Sequence, residues 1–295
     1  MDRRSALTGL GLVVASQTAA RAATPKAAPA APSKTAKPQG CVALVTGSNT
    51  GIGLGFVKIL LARGAKRVYA TARRPETLAE VIALDPQRVV GLELDITNDA
   101  QRRAAAAKAK DVTWLINNAG IAGSDKPEER RFLGASSFDD ARRVMDTNFW
   151  AQAEMARLFA PVIVANGGGA IVQILSVGAL YSVPDFCTYS ASKFAASAMI
   201  AGVRAELDRQ PVLVSGVFTG GVNTRMTPAD YKGGVSPDQH ANEVLDAMAE
   251  GETDILAGGG AKQYLARLRA DPKAFEREHI ERFYSRKPSV PPAAG

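Results

Sequence analysis

Cysteine and histidine are scarce in this chain of 295 residues: it holds only Cys41 and Cys187, His240 and His279. Two cysteines with no C-x-x-C and no ladder of spacings supply neither a disulfide framework nor a zinc site, and no metal centre is expected. A Ser-His-Asp hydrolase would have to be built from His240 or His279, both in a charged C-terminal region. No Gly-Lys-Ser/Thr follows the glycine cluster near position 50, which disfavours a nucleoside-triphosphate loop. No repeat at solenoid period is visible. No apolar stretch is long enough to cross a bilayer, so no membrane anchor is expected.

Acidic residues are outnumbered, 29 against 36 basic, for a net charge of +7 and a sequence pI near 9.5. That excess suggests a polyanionic partner until it is located. Residues 1–40 hold six basic residues (Arg3, Arg4, Arg21, Lys26, Lys34, Lys37) and one acid, Asp2, which leaves a net +2 on 41–295. A nucleic-acid partner is favoured only by charge and is not expected. With 46% hydrophobic and 22% charged residues the composition is that of a globular chain, long enough to bury a core without staples.

The first forty residues read differently from the rest. Arg3-Arg4, a short apolar stretch from Ala6 to Ala15 and Ala20-Arg21-Ala22-Ala23 form a positive n-region, an h-region and an A-x-A cleavage signal, with cleavage after Ala22. The paired arginines before a weakly hydrophobic run resemble a bacterial twin-arginine signal, which implies periplasmic export; cytoplasmic retention is the alternative. Residues 23–40 repeat Ala, Pro, Lys and Thr and read as a disordered linker. The expected organisation is a signal at 1–22, a linker at 23–40, one folded domain at 41–285 and a tail at 286–295.

From Cys41 a regular alternation begins. Apolar or β-branched runs at 41–46, 67–71, 89–94, 114–117, 170–175 and 212–218 read as strands. Helical spacing covers 54–63, 138–165 and 189–209. Strands alternating with helices imply right-handed crossovers and a parallel sheet covered on both faces, a single-domain doubly wound α/β fold of the Rossmann type. Ligands of such sheets lie beyond the carboxyl ends of the strands.

Thr46-Gly47-Ser48-Asn49-Thr50-Gly51-Ile52-Gly53 follows the first strand and opens the first helix. Gly47 permits the tight turn, Gly51 lets backbone approach a pyrophosphate, and Gly53 lets the helix pack on the sheet, with N–H groups facing the phosphates. About twenty residues on, an NAD site carries an acid for the ribose hydroxyls and an NADP site a basic residue. Here the second strand runs into Arg73-Arg74-Pro75 with no acid before Glu76. Arg73, assisted by Arg74, is the candidate for a 2′-phosphate.

Together with that turn, Asn117-Asn118-Ala119-Gly120, Ser176 and Tyr189-Ser190-Ala191-Ser192-Lys193 stand in an order and spacing that resembles the short-chain dehydrogenase/reductases of the compact, single-domain kind. The resemblance covers residues 41 to about 230. Tyr189 and Lys193 are four apart, hence on one helix face. A neighbouring ammonium is expected to lower the phenol from its ordinary value near ~10 and make it a usable acid or base. The resemblance implies that Lys193 also holds the nicotinamide ribose, that Ser176 orients the substrate oxygen and that Asn148 positions a water in a proton relay. It further implies contacts to the cofactor from Asn49, Ile52, Asp95, Ile96, Asn118, Ala119, Gly120, Gly220, Val222 and Thr224. Two positions depart from the family pattern. Thr219 stands where a proline usually precedes Gly220, which predicts a looser nicotinamide loop, and Leu175 stands where a serine commonly precedes Ser176.

The expected activity is hydride transfer between NADP(H) and a carbonyl or secondary alcohol, on a small-molecule substrate. The rival is a catalytically idle NADP-binding regulator on the same fold. Substrate choice is expected to rest on 177–188, the segment after Thr224, and 120–137, with Tyr181, Val183 and Phe186 making the pocket apolar. Helices around 141–165 and 189–209 are those on which members of the family pair, so a homodimer or homotetramer is implied by resemblance.

Overall fold

The structure is a computed structural model that describes residues 34–227 and 231–286. The signal expected at 1–22 lies outside those residues. Ala36 is buried and donates its N–H to the Met248 carbonyl (3.0 Å), and Lys34 reaches the Leu207 carbonyl (2.8 Å). The folded body therefore begins before Cys41, because small residues let this end of the expected linker lie flat on the domain.

Seven parallel strands form one sheet in the order β3-β2-β1-β4-β5-β6-β7. In chain order, β1 (Val42–Val45) leads to α1 (Gly51–Ala62), β2 (Arg67–Ala72), α2 (Ala79–Ala83), β3 (Val89–Glu93), α3 (Asp99–Lys108) and β4 (Trp114–Asn117). After them come α4 (Asp139–Met145), α5 (Ala151–Ala165), β5 (Gly169–Ile174), α6 (Cys187–Glu206), β6 (Val212–Thr219), α7 (Pro237–Ala249), β7 (Asp254–Ala257), α8 (Ala261–Ala270) and α9 (Pro272–Arg286). The central strands are buried on both faces, as their largely apolar runs require. Ala43 and Val45 pack on one face with Phe56, Leu60, Val244 and Met248 of α1 and α7. Val42 and Leu44 pack on the other with Met155, Phe159, Ile163 and Ile200 of α5 and α6.

The chain steps outward from β1 through β2 to β3, then crosses back to place β4 on the other side of β1. The turns after β1 and β4 diverge there and leave a crevice at the carboxyl edge. Two elements differ from the sequence reading. The helix expected over 138–165 is broken by a π-helical turn at Asp146–Trp150, which forces the fully buried Asn148 inward. β7 was not legible, since Asp254-Ile255-Leu256-Ala257 is an edge strand held only by β6.

Candidate functional site

The turn after β1 is stitched to the turn after β4. Buried Thr46 accepts through its hydroxyl from the N–H groups of Asn118 and Ala119, both at 2.9 Å. The Asn118 side chain donates back to the carbonyls of Thr46 (2.8 Å) and Gly47 (3.0 Å). A Cβ on Gly53 would stand 2.4 Å from the Gly47 oxygen, so only glycine lets α1 start this close to the turn. α1 opens with Thr50 extended, no capping side chain and no acid in its first turn. Its leading N–H groups and the positive end of its dipole are available to an anion, so the turn fits a pyrophosphate.

Asn49 ties this turn outward, donating to Thr77 Oγ1 (3.1 Å), which in turn donates to the Arg74 carbonyl (2.7 Å). Arg73, directly after β2, is exposed and makes no ion pair or hydrogen bond among the described residues. Arg74 lies 3.9 Å from Glu76. Beyond β3, Asp95 uses Oδ1 to accept from the N–H (2.9 Å) and hydroxyl (2.7 Å) of Thr97. Its Oδ2 is left without a partner among the described residues, next to buried Ile96.

Ser176 and Tyr189 lie just past β5 and in the first turn of α6. Ser176 Oγ accepts from the Gly178 N–H (3.0 Å), and a Cβ on Gly178 would come within 3.3 Å of that hydroxyl and 3.8 Å of the Tyr189 ring. One turn on, Lys193 is 3% exposed, donates to the Ile174 carbonyl at 2.7 Å and sits 5.7 Å from the Tyr189 ring centroid. Burial pushes the Lys193 ammonium down to about 8 and the Tyr189 phenol up to about 12, with the Ser176 hydroxyl pulling the phenol back. This reverses the expectation for Tyr189. Desolvation of the phenolate is the largest effect on Tyr189, and the Lys193 ammonium is turned to the Ile174 carbonyl.

Asn148 reaches the same place. Its Oδ1 accepts from the Ile121 N–H (2.9 Å), and its Nδ2 donates to the Ile121 carbonyl (2.8 Å) and Ser192 Oγ (3.0 Å). A Cβ on Gly120 would stand 3.0 Å from Asn148 Oδ1 and 3.7 Å from Lys193 Nζ, so the three residues converge. Beneath them is a buried polar layer missed from the sequence. Asn117 donates to the Gln152 carbonyl (3.1 Å) and Gln173 Oε1 (3.3 Å), Gln173 donates to Gln152 Oε1, and Gln152 donates to the Ala119 carbonyl. A glutamine inside the apolar run of β5 was the available signal.

The described start of the loop after β6 is held by backbone hydrogen bonds. Gly221 and Gly259 exchange N–H···O bonds (2.8 and 2.9 Å), Asn223 donates to the Val235 carbonyl (2.9 Å), and Thr224 packs 3.3 Å from where a Cβ on Gly51 would lie. Leu175 is simply core, 1% exposed. Beside this loop opens a cavity of about 280 Å³, walled by Val177, Val183, Gly220, Tyr231, Tyr264 and Phe283. Its far wall comes from α8 and α9, which the sequence reading did not foresee. The 120–137 stretch does not line it. Arg131 in that stretch instead pairs with Asp185 (3.3 Å) and stacks on Phe283 (4.7 Å), and Arg130 stacks on Phe186 (4.1 Å). Tyr181 sits behind the wall, against Phe275 and His279.

A family model described as short chain dehydrogenase matches residues 41–233. A putative oxidoreductase SadH of Mycobacterium tuberculosis is 29% identical over 258 residues, covering 78% of this chain and 91% of its own. The 1-deoxy-11-beta-hydroxypentalenate dehydrogenase of Streptomyces avermitilis is 31% identical over 242 residues, covering 77% of this chain and 88% of its own. A crystal structure of a short chain dehydrogenase from Burkholderia cenocepacia in complex with NADP aligns with a TM-score of 0.75 and 37% identity over 83% of this chain and 99% of that one. With a matching family model over most of its sheet and the glycine turn, serine, tyrosine and lysine brought to one crevice, this chain belongs to the short-chain dehydrogenase family of oxidoreductases.

Proposed function

We propose that the protein is an NADP(H)-dependent oxidoreductase that moves hydride between the nicotinamide and a carbonyl or secondary alcohol carbon, with Tyr189 as the proton donor and acceptor. The observation that carries this reading is the meeting of Ser176, Tyr189 and buried Lys193 at the carboxyl edge, in the same crevice as an uncapped helix N-terminus. The NADP named for the Burkholderia cenocepacia protein supports the cofactor, as does unpaired Arg73.

When bound, the nicotinamide supplies or takes the hydride. Gly47, Asn49, Gly51, Ile52 and Gly53 would hold the pyrophosphate, and Arg73 the 2′-phosphate. Asp95 and Ile96 would face the adenine. Asn118, Ala119, Gly120, Gly220, Val222 and Thr224 would line the nicotinamide half. In the reducing direction Ser176 orients the substrate oxygen and Tyr189 gives it a proton as the carbon is reduced. Burial holds the phenol up at about 12, so Tyr189 carries its proton at neutral pH, and the Lys193 ammonium one helical turn away would favour the phenolate formed when that proton is given up. Lys193 would hold the ribose and stabilise the phenolate left behind, while Asn148 fixes the Gly120-Ile121 backbone beside that ammonium. The reverse direction runs through the same groups.

The cavity walls of Val183, Tyr231, Tyr264 and Phe283, with Asp185, His279 and Arg282 beside them, favour a ring-bearing substrate of modest size that carries a polar group. Trp150 and Phe194, 58% and 42% exposed, support pairing through the α5–α6 side. The test is NADPH oxidation across aliphatic and aromatic aldehydes, ketones and quinones. Turnover of ring-bearing carbonyls supports the reading; NADPH binding with no turnover of any of the panel leaves the idle regulator.

A further inference from the structure

Thr219 occupies the last position of β6, and its hydroxyl lies 3.2 Å from Nε2 of His240 in α7. Both are buried, Thr219 8% exposed and His240 0%. The Thr219 hydroxyl also lies 3.4 Å from the Val217 carbonyl, so it stands between the imidazole nitrogen and a backbone oxygen. His240 Nδ1 is buried with no partner among the described residues. Burial holds the ring down at about 4, so it is neutral at ordinary pH.

The placement of this histidine is what gives it meaning. On one side it meets the edge of Phe56 of α1, centroids 6.1 Å apart. α1 and α7 cross so closely that a Cβ on Gly55 would stand 2.5 Å from the Pro237 carbonyl. On its other side His240 grips the residue immediately before the Gly220–Thr224 loop. It thus spans the helix whose N-terminus faces the pyrophosphate and the strand end that launches the loop over the nicotinamide. An apolar side chain would fill this core position without leaving a polar nitrogen unpaired, so packing alone does not account for a histidine.

We propose that Thr219 and His240 form a buried latch that positions the Gly220–Thr224 loop, replacing by a hydrogen bond the backbone restraint a proline would impose. His240 is a positioning residue and touches neither substrate nor cofactor. The inference rests on the cofactor reading only for its consequence in NADPH binding.

The test uses the full chain with Thr219→Val, His240→Leu, the two combined, and Thr219→Pro in the His240→Leu background. Hydrogen exchange of residues 219–227, measured without nucleotide, reads the latch itself. NADPH titration and the KM for NADPH read its consequence. Each single substitution is expected to speed exchange in that loop and raise the NADPH Kd and KM by about fivefold, the worth of one neutral hydrogen bond, with kcat little changed. The double variant should be no worse than either single one, the proline should restore binding, and the Tm of His240→Leu should hold or rise. Additive losses, unchanged loop exchange, no rescue by proline, or a fall in Tm with faster exchange across the whole sheet would overturn the latch. Wild-type protein that fails to bind NADPH would refute the cofactor reading instead, and the exchange data would still decide the latch.

Discussion

Replacing Arg73 with alanine isolates the choice between the two nicotinamide cofactors. The guanidinium stands directly beyond β2, exposed and without a partner, so the free protein should lose little when it is removed. A hydrogen bond to a charged group is worth about 1.5–3 kcal/mol, and an exposed, solvent-screened position discounts that to about 1–2 kcal/mol. NADPH affinity should fall about 5- to 30-fold, while NADH, which has no 2′-phosphate, should be unaffected. Arg74, beside Glu76 at 3.9 Å, should matter less. Nucleotide fluorescence titration with both cofactors, at low and high salt, measures this directly; added salt should shrink the wild-type preference for NADPH. Equal weakening of NADH and NADPH, or an unchanged preference, would refute the reasoning.

Gly53→Ala should abolish nucleotide binding or fold poorly, since its Cβ would sit 2.4 Å from the Gly47 oxygen; NADPH titration beside a thermal melt checks this. Gln152→Leu strands the Ala119 carbonyl and Gln173 in the core and should destabilise by about 1–3 kcal/mol in urea unfolding. Lys193 titrates at about 8 in the fold against an ordinary 10.5, so between those values the unfolded chain binds more protons and stability rises with pH. Lys193→Met should remove that rise, about 2 kcal/mol between pH 8 and 9.5 by urea unfolding, and equal slopes in the two proteins would contradict it. Below about pH 9 the Tyr189 phenol adds no opposing slope, because it is protonated in both states, and only a small one by about pH 9.5.

The doubly wound sheet was legible because its central strands are buried on both faces and so read as largely apolar runs, as at Val42–Val45 and, interrupted only by small residues, Val212–Thr219. β7 escaped because an edge strand needs only half that pattern. The glycine turn, Ser176, Tyr189 and Lys193 are readable as candidates in the sequence because their chemistry restricts residue type at short spacing. Gln152, Tyr264 and the latch partner His240 were not, because each acts through a tertiary neighbour far along the chain: the Ala119 carbonyl, the cavity wall, Thr219. The direction of the Tyr189 shift is not readable from spacing for the same reason. Spacing places a lysine on the same helix face, but only the fold shows its ammonium held by Ile174.

The central claim is that Tyr189 moves the proton while the rest of the crevice holds the cofactor. Tyr189→Phe removes one hydroxyl and keeps the ring, its contact with Phe186 and the lysine beneath it. The measurement is NADPH oxidation with a carbonyl that the wild-type protein reduces, paired with NADPH titration of both proteins. The account predicts loss of turnover by at least about 100-fold, as for removal of a general acid, with the NADPH Kd within about twofold of wild type. Near wild-type turnover in the phenylalanine variant would contradict it.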